Sequence, residues 1–384
     1  MGSLRVAVVG AGIGGLTTAI ALRARGFTID VYDQASSLSE IGAGLSLGGN
    51  GMRVIDALGL GRAVREVAAN LHRIEFHHWR TGEIFYQHPM GDWYEQRFGG
   101  PFLGVHRADF HHVLLAAFDG TPHLGRRCVA VHESPHGVEL EFADGTTAGA
   151  DVVVGADGLR SAVRRHVNGP DEAVFAAMSC FRGLVPAPPG SAVSGLTFFL
   201  GPGRHLVAYP VRGGELINFV AYVPDPEWTL ESWSAKCPPA EAAAAFDGWH
   251  PAVTTLLANA EETGRWALYD REPLRRWSTG RVTLLGDAAH PMLPHAGQGT
   301  NQALEDAATL AACLSGLGPA EGLRRYEQLR KARTRQIQLG SRANAACFQV
   351  PDGPAATERN ARLQNLPEMV SWIHEHDVHA SLPR

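Results

Sequence analysis

The apolar pattern near the N-terminus predicts a strand, a helix and a second strand. Val6–Val9 is a continuous apolar run, which is typical of a strand covered on both faces of a parallel sheet. Thr17–Arg25 has the pattern of a helix that Gly26 would end as a C-cap. The next apolar segment, TIDVYD, predicts a strand that ends at Asp33. This order of elements is that of a doubly wound α/β sheet.

Two later segments repeat the buried-strand pattern. Gly149–Val167 consists of an apolar run, a Gly-Ala-Asp-Gly turn and the start of a basic helix. Residues 282–285 (VTLL) form another apolar run, which leads through a loop to a helix predicted over Gln302–Leu314. Because the parallel-strand pattern returns so late, we expect the chain to leave this first domain and come back to it.

The middle of the chain has a different period. Ser179–Val223 alternates apolar and polar residues between Gly and Pro turns, which predicts paired strands of a separate antiparallel sheet. Residues 137–156 predict a β-hairpin around Asp144-Gly145, and residues 239–249 and 251–260 predict short helices. The predicted fold class is therefore α/β, with a Rossmann-like domain, an inserted antiparallel β-sheet domain and a C-terminal helical segment.

Composition is that of a globular protein. The chain has 384 residues, 45% apolar and 19% charged, so two domains or one domain with an insertion are expected. The net charge of −5 gives no overall basic footprint for nucleic acid. The basic run Leu323–Arg342 predicts a solvated helix face, with a binding patch as the alternative. No apolar run reaches about 18 residues, so no membrane span is expected.

The cysteines and histidines do not form a metal-binding pattern. The five cysteines lie at least 34 positions apart, and the pairs His77-His78 and His111-His112 lack partners at helical spacing. An odd number of cysteines without an evident signal peptide predicts a reducing compartment. We therefore expect a cytoplasmic protein with no metal site.

A glycine-rich turn follows the first strand. Gly10, Gly12 and Gly15 have the G-x-G-x-x-G spacing, in which the glycines allow a tight turn, a close approach of a pyrophosphate and close helix–strand packing. Asp33 follows Gly15 by 18 residues, where a carboxylate can accept hydrogen bonds from a ribose. An ordinary glycine turn is the alternative, but strand, helix and acid all agree with a dinucleotide site. The motif does not distinguish NAD from FAD.

Two further loops carry candidate chemistry. Asp157 lies where a strand leads into a helix, a position that faces ligands in α/β sheets, although a simple helix N-cap fits it equally well. The segment Leu284–Ala307 places an acid, two Pro-His pairs and a Gly-Gln-Gly turn just before a helix N-terminus. Such a concentration of polar and turn residues predicts that this loop holds a ligand.

Three separated elements occur in a fixed order along the chain. They are the Gly10–Gly15 turn with Asp33, then ADVVVGADGLRSAVR, then GRVTLLGDAAHPMLPHAGQGTNQALEDA. Together they resemble the single-component FAD-dependent aromatic hydroxylases, the p-hydroxybenzoate hydroxylase-like flavoprotein monooxygenases. The resemblance extends to IGAGLSLGGNGMRVIDALGLG, GVHRADFHHVLLAAF and SWIHEHDV, and so covers essentially the whole chain. Within the family, the sequence looks like the salicylate, 3-hydroxybenzoate and 6-hydroxynicotinate hydroxylase branch.

The resemblance implies tightly but non-covalently bound FAD. The glycine turn would hold its ADP half, Asp157 would also serve the nicotinamide cofactor, and Asp287 would contact the ribityl chain. The N-terminus of the helix after Gly299 would stabilise negative charge on the reduced flavin. The residues implied for FAD are Gly10, Gly12, Gly14, Gly15, Asp33, Gln34, Arg107, Val129, Asp157, Asp287, Gly297, Gly299 and Thr300.

Catalytic candidates come from the inserted sheet and from the loop Pro294–Thr300, named the flavin loop below. His205 and Tyr209 are four apart on one predicted strand and share a face. The resemblance places such a pair over the substrate, where a base would remove the proton of a phenol. The alternative is a His and a Tyr packed within the sheet. His295 is expected either to contact the substrate or to support the loop, and Pro294 to present its carbonyl to the substrate.

Three other positions bear on the site. Arg182 is a candidate anchor for a carboxylate, although a role in the sheet is favoured. Leu45-Ser46-Leu47 stands where the 6-hydroxynicotinate enzymes place a histidine, which argues against a nicotinate-specific enzyme. His290 is expected to support its loop.

The resemblance implies an FAD- and NAD(P)H-dependent monooxygenase that hydroxylates a small phenolic or N-heteroaromatic acid through a flavin hydroperoxide, with O2 as co-substrate. One alternative is a flavin-dependent epoxidase or tailoring oxygenase acting on a larger polycyclic substrate. A second is a nucleotide-binding scaffold without catalysis. A small aromatic substrate is the expected partner, with no nucleic acid, and the chain is expected to be a monomer or homodimer. The choice between NADH and NADPH stays open. The position of the hydroxylated carbon, and whether decarboxylation accompanies hydroxylation, stay open as well.

These expectations divide the chain into two domains. A discontinuous FAD-binding domain would comprise residues 1–71, 99–175 and 265–384, including the C-terminal helices. A substrate-binding β-sheet domain would comprise residues 72–98 and 176–264.

Overall fold

The computed structural model describes residues 4–38, 43–187, 193–227 and 236–382. Ile41 and Gly42, which belong to the segment IGAGLSLGGNGMRVIDALGLG, lie outside the described residues. Residues 188–192 of the alternating segment Ser179–Val223 also lie outside them. The strands are β1 (Arg5–Val9), β2 (Thr28–Tyr32), β3 (Gly44–Leu47), β4 (Ala68–Asn70), β5 (Arg73–His78), β6 (Ile84–Pro89), β7 (Leu103–His106), β8 (Cys128–Ser134), β9 (Gly137–Phe142), β10 (Thr147–Ala150), β11 (Val152–Gly155), β12 (Val174–Pro186), β13 (Leu196–Gly201), β14 (Arg204–Val211), β15 (Leu216–Pro224), β16 (Lys236–Cys237), β17 (Thr263–Asp270) and β18 (Val282–Leu284). The α-helices are α1 (Ile13–Arg23), α2 (Gly49–Ala57), α3 (Gly61–Val67), α4 (Gly91–Phe98), α5 (Arg107–Ala117), α6 (Ala162–Asn168), α7 (Pro239–Ala245), α8 (Pro251–Ala258), α9 (Gly299–Gly316), α10 (Pro319–Phe348), α11 (Pro354–Leu363) and α12 (Leu366–His374).

A parallel sheet of order β18-β11-β1-β2 carries the glycine turn. In its register Val8 lies opposite Val31 on one side and Val154 on the other. These valines are buried in one core with side chains of α1, α5, α9 and β9, as parallel strands require. The predicted Rossmann-like arrangement is confirmed, although α1 begins at Ile13 rather than at Thr17.

Two small antiparallel sheets flank the parallel one. β8, β9 and β10 form the first, with Leu140 opposite Ala148 across the predicted hairpin. The turn of this hairpin contains Gly145 at a φ of +80°. The second has the order β3-β7-β4 and brings β3 next to the start of α5.

The inserted region forms an eight-stranded sheet of order β16-β17-β12-β15-β14-β13-β5-β6. Its pairs are antiparallel except for β5 with β13, which run parallel. The predicted inserted antiparallel sheet is thereby confirmed. β12 and β17 pair with each other along their length, with Val174 opposite Asp270. Strand β12 therefore crosses the expected domain limit at 175/176, and β17 crosses the limit at 264/265. The division into two domains stays a prediction.

The period-2 alternation of these strands gives the large sheet two different faces. Leu206, Phe219 and their neighbours pack against α7 and α8 in a separate apolar core. The residues between them point to the opposite face, where His205 lies opposite Tyr222 and Tyr209 lies opposite Asn218. One face is therefore structural core, and the other carries polar groups.

The C-terminal helical segment is also present. Helix α9 begins at Gly299, three residues before the predicted start, and packs against both α1 and α10. Within the described residues, no helix combines the length and the apolar character that a membrane crossing needs.

The basic run in α10 is not simply a solvated face, because Arg330 is only 1% exposed. Its guanidinium donates to Asp306 Oδ1 at 2.7 Å, to Glu305 and to the side-chain oxygen of Gln302 at 2.7 Å. Burial opposes ionisation of Glu305, but Arg330 and Arg333 outweigh it and lower the pKa of this carboxyl to about 2. The expectation of a solvated face was wrong at this position, since the charges face acids of α9.

Replacing Arg330 with methionine should therefore destabilise the protein strongly. Two buried carboxylates would lose their shared counter-charge, which typically costs about 3–5 kcal/mol. Urea unfolding of the FAD-loaded protein measures the effect, and Arg335→Met on the exposed side of the same helix is the matched control. Equal unfolding midpoints for the two variants would contradict the role given to Arg330.

Candidate active site

The glycine turn between β1 and α1 has the geometry of a phosphate cradle. Gly10 has a φ of +110°, and a Cβ there would lie 2.3 Å from the Ala156 carbonyl oxygen. A Cβ on Gly15 would lie 1.9 Å from the Gly10 oxygen, whereas a Cβ on Gly12 would meet nothing within 4 Å. The first and third glycines are therefore required by packing, and the second borders open space that a pyrophosphate can enter.

Asp33 lies at the end of β2, directly beside this turn. Its carboxylate accepts hydrogen bonds from the backbone N–H groups of Ala11 at 2.7 Å and Ala35 at 2.8 Å. The backbone of residues 33–35 also bonds to residues 125–126, just before β8. The exposed residues Gln34 and Val129 lie on these adjoining segments, and their role in binding adenosine stays a prediction.

Asp157 sits at the strand–helix junction but is already well bonded. Ser161 donates its hydroxyl to the carboxylate at 2.5 Å, and the backbone N–H of Ala162 donates at 2.7 Å. The N-cap residue of α6 is Ser161, and Asp157 stabilises the same helix start through Ser161 and the Ala162 N–H. A role of Asp157 in cofactor binding stays a prediction.

A cavity of about 360 Å³ lies between the flavin loop, the start of α9 and the polar face of the large sheet. It brings together residues that are distant in sequence, from β3 to the C-terminal helices. The expected site residues that line it are Arg107, His205, Tyr209, Asp287, Pro294, His295, Gly297, Gly299 and Thr300. The other expected cofactor residues lie around the glycine turn, where Gly14 packs against Leu285 and Ala303.

The flavin loop and the residues that follow β18 fit a bound flavin. Asp287 is exposed between buried Gly286 and Ala288, so its carboxylate points out of an otherwise buried loop. A Cβ on Gly299 would meet nothing within 4 Å. The first N–H groups of α9 have no carbonyl of their own helix to bond, which makes this end suited to negative charge. Open space next to Gly12 and Gly299 is what the two ends of FAD would fill.

Sequence reasoning missed the side chains that hold the flavin loop. Asn301 donates to the carbonyls of Ser46 and Gly297, both at 3.0 Å, and accepts from the Gly48 N–H. Gln298 accepts from Asn50, which also donates to Glu305 at 2.7 Å. Buried polar residues in the first turns of α9 were the available signal, but their partners among residues 46–50 are more than 240 positions away in sequence.

Two histidines meet in the wall of the cavity. His295 Nδ1 and His205 Nε2 are 3.3 Å apart, and the His205 ring stacks on Tyr222 with centroids 4.2 Å apart. Burial holds the pKa of His205 well below its ordinary value and lowers that of His295 to about 3. Both imidazoles are therefore neutral near pH 7. Pro294, next to His295, is exposed towards the cavity.

Tyr209 and Arg182 lie on the same cavity-facing side of the sheet as His205. Burial raises the pKa of the Tyr209 hydroxyl to about 12, so it carries its proton. Arg182 lines the cavity, donates to the Gly44 carbonyl at 3.1 Å and lies over the Trp266 ring. Arg182 thus has the favoured role in the sheet while remaining part of the cavity wall. His290, as expected, supports its loop, through a 2.6 Å hydrogen bond with Asp306.

The fold and the cavity define a dinucleotide-binding α/β protein with a second, sheet-walled site. Residues 3–340 match the model of the FAD binding domain family. The chain is 42% identical over 378 residues to a 3-amino-4-hydroxybenzoate 2-monooxygenase of Streptomyces platensis, covering 96% of this chain and 95% of that protein. It is 37% identical to a 6-hydroxynicotinate 3-monooxygenase of Pseudomonas fluorescens, covering 89% of this chain and 91% of the relative.

A solved structure agrees with these sequence relatives. The crystal structure of Klebsiella pneumoniae HpxO complexed with FAD and uric acid superposes with a TM-score of 0.87 at 31% identity, covering 99% of this chain and 97% of that one. The chain therefore belongs to the FAD-dependent aromatic-ring monooxygenases. The family, the fold class and FAD as cofactor are confirmed, while the roles of individual residues stay predictions.

Filling the space beside Gly12 should separate cofactor binding from folding. Gly12 has φ −72° and ψ −177°, which valine adopts readily, so Gly12→Val should fold but bind FAD at least about tenfold more weakly. Gly15→Ala is the comparison, because its Cβ would strike the Gly10 carbonyl and weaken the fold itself. FAD retained after gel filtration and the thermal unfolding midpoint measure the two effects. Normal FAD retention by Gly12→Val would place the pyrophosphate elsewhere.

The neutral buried histidines predict a loss of stability in acid. In the unfolded chain His205 and His295 titrate near about 6.5, whereas in the fold they stay neutral to far lower pH. Between about pH 6.5 and pH 4 the unfolded state binds more protons, so the free energy of unfolding falls as pH falls. The double variant His205→Asn/His295→Asn should lose less stability over this range in urea titrations. An unchanged pH slope would show that these imidazoles are charged in the fold.

Proposed function

We propose that this protein hydroxylates a small phenolic or N-heteroaromatic acid, using FAD, NAD(P)H and O2. The observation that carries the proposal is the cavity that His295, Tyr209 and the first residues of α9 line together. The relatives that act on 3-amino-4-hydroxybenzoate and 6-hydroxynicotinate support a ring with a hydroxyl and a carboxylate. The segment Leu45-Ser46-Leu47 of β3 contains no histidine, which argues against a nicotinate substrate. An aminohydroxybenzoate is therefore the first substrate to test.

Bound FAD, reduced by NAD(P)H and oxidised by O2, would supply the chemistry that places one oxygen atom on the ring and releases the other as water. The N–H groups of Gly299 and Thr300 would stabilise negative charge on the reduced cofactor at the start of α9. Asp287 would orient its sugar chain. The flavin loop and the large sheet would exclude water from the space between them.

The protein would activate the substrate by controlling the proton of its phenol, because a phenolate is the more electron-rich ring. Two side chains are suited to contact that oxygen. The protonated Tyr209 hydroxyl faces the cavity. His295 lines it from the flavin loop, and its Nε2 is buried with no hydrogen-bond partner among the described residues. The two ring nitrogens of His205 are both engaged by neighbours, so we assign it a positioning role.

The remaining wall would hold the carboxylate of the substrate. Arg182 is a cation on the same sheet face as Tyr209. A guanidinium in a partly buried wall binds a carboxylate through charge-assisted hydrogen bonds. We also propose a cytoplasmic location, since all five cysteines carry free thiols, as in proteins of a reducing compartment.

The test is oxidation of NADH or NADPH by the FAD-loaded protein, with and without a panel of aromatic acids. We expect 3-amino-4-hydroxybenzoate to stimulate oxidation and to yield a product one oxygen atom heavier. Tyr209→Phe should lower kcat/KM by about a hundredfold, in the range of a proton-handling group. Tyr269→Phe, on an edge region of the same sheet, is the matched control and should leave the rate unchanged.

Different failures have different meanings. Stimulated oxidation that yields only peroxide from every compound tested would contradict hydroxylation of this substrate class. Stimulation by polycyclic compounds alone would favour the tailoring oxygenase instead. Full activity of Tyr209→Phe would remove this residue from the mechanism.

A further inference from the structure

Three side chains form a hydrogen-bonded row that ends at His295, in the wall of the cavity. Gln349, the residue after α10, donates its side-chain Nε2–H to His205 Nδ1 at 3.0 Å. His205 Nε2 then meets His295 Nδ1 at 3.3 Å. His295 Nε2 is buried and has no hydrogen-bond partner among the described residues. Since the two ring nitrogens point in different directions, Nε2 lies on the ring edge turned away from His205.

The positions of all three groups are fixed by their neighbours. The Gln349 carbonyl accepts from the Gly203 N–H at 2.8 Å, so the residue is held at the turn that leads into β14 and His205. The His205 ring is held between Tyr222, on which it stacks, and Phe348, which meets it edge-on. Asn344 donates to the backbone carbonyl of His295 at 3.3 Å. The backbones of Gln349 and His295 and the ring of His205 are therefore held in place.

With the Gln349 amide nitrogen towards His205, the row has one consistent arrangement of protons. An amide N–H can only donate, so His205 Nδ1 accepts and the proton of this neutral ring is on Nε2. That N–H donates to His295 Nδ1, which leaves the proton of His295 on Nε2. A buried N–H without a partner is costly and marks a site where a ligand acceptor is expected.

We infer that Gln349 and His205 are positioning residues that fix the tautomer of His295, so that His295 presents an N–H to the substrate and binds its phenol oxygen in the ionised form. This inference rests on the proposed function, because it concerns the aromatic substrate of that cavity. It gives His295 the role of a hydrogen-bond donor to a phenolate and excludes the role of a base in the resting state. Gln349 is 144 positions from His205 and would not be suspected from either motif.

Other titratable groups face the same cavity and act on the same oxygen. Arg107 and Arg182 line the cavity and would favour the ionised form of a bound phenol by their charge, and Asp287 would oppose it. Tyr209 and Tyr222 of the sheet are protonated, because burial raises both pKa values. His88 and His374 lie in the far wall with α4 and α12. None of these groups changes when Gln349 is replaced, so a comparison of Gln349 variants isolates the row.

The tautomers can be read directly by nitrogen NMR of FAD-loaded protein labelled with ¹⁵N-histidine. His205→Asn and His295→Asn identify the two rings by the loss of their signals. We expect Nδ1 of both rings to be unprotonated and Nε2 to be protonated. In Gln349→Glu the new carboxylate accepts a hydrogen bond, so His205 Nδ1 should become protonated. A protonated His205 Nδ1 in the unchanged protein would overturn the inference.

The effect on the ligand can be read with 4-hydroxy-3-nitrobenzoate, whose phenolate absorbs visible light and which need not turn over. On the unchanged protein its phenol pKa should fall by about one unit, a tenfold change in ionisation. Gln349→Met should reverse most of this fall, and His295→Phe should reverse it also. Gln364→Met, a surface replacement of the same kind near α11, should leave it as in the unchanged protein.

The outcomes separate the inference from the proposed function. The expected tautomers and phenol shift in a protein that hydroxylates no aromatic acid would support the row and contradict the activity. Hydroxylation with an equal phenol pKa in the unchanged protein and in Gln349→Met would contradict the inference and leave the activity standing. Thermal unfolding of each variant identifies one that has lost its fold, and the tautomers of the unchanged protein decide the question in that case.

Discussion

The buried guanidinium of Arg330 is the contact on which the rest of the site depends. It bonds to Gln302, Glu305 and Asp306. Their spacing of three and four residues places them on one face of α9. Through Glu305 the same network reaches Asn50 in α2, and through Asn50 it reaches Gln298. A charge this deeply buried is tolerated only when several partners satisfy it. The N-terminus of α9 and Gln298 of the flavin loop are therefore held at one orientation relative to α2 and α10.

The large sheet contacts the flavin loop through His205 and His295, and it is also joined to β3 at Gly44. The Gly44 N–H donates to Asn218 at 2.6 Å, and its carbonyl accepts from Arg182. A Cβ on Gly44 would lie 2.5 Å from the Asn218 side chain, so only glycine allows this approach. Alternate residues of β14 then face the loop, while the residues between them face α7 and α8. A two-residue period and one close backbone contact thus bring His205 and Tyr209 to the side of the flavin loop.

Local patterns predicted much of this arrangement. The glycine turn, the buried parallel strands and the shared face of His205 and Tyr209 follow from backbone geometry and short periods, which are written in contiguous residues. The role of Asp157 could not be decided in this way, because an acid at a strand–helix junction can either cap the helix or bind a ligand. The family resemblance supplied FAD and the expected site residues, which spacing alone left open between two dinucleotides.

What sequence reasoning missed depends on contacts between distant segments. Arg330 belongs to a run of charges that normally indicates solvent, and only the packing of α10 on α9 brings it to Glu305 and Asp306. Gln349 follows a helix end with no local signal, yet it lies against His205. Neither contact has a periodic pattern in the chain. Both are long-range polar pairs that a single sequence does not reveal.

The central claim is that the aromatic acid lies between the start of α9 and the polar face of the large sheet. A crystal structure of the FAD-loaded protein with 3-amino-4-hydroxybenzoate tests it most directly. The account predicts the phenol oxygen within hydrogen-bond distance of His295 Nε2 and the Tyr209 hydroxyl, with the carboxylate on the side of Arg182. A ligand bound outside this cavity, or with its carboxylate on His295 and its phenol remote from both groups, would contradict the account.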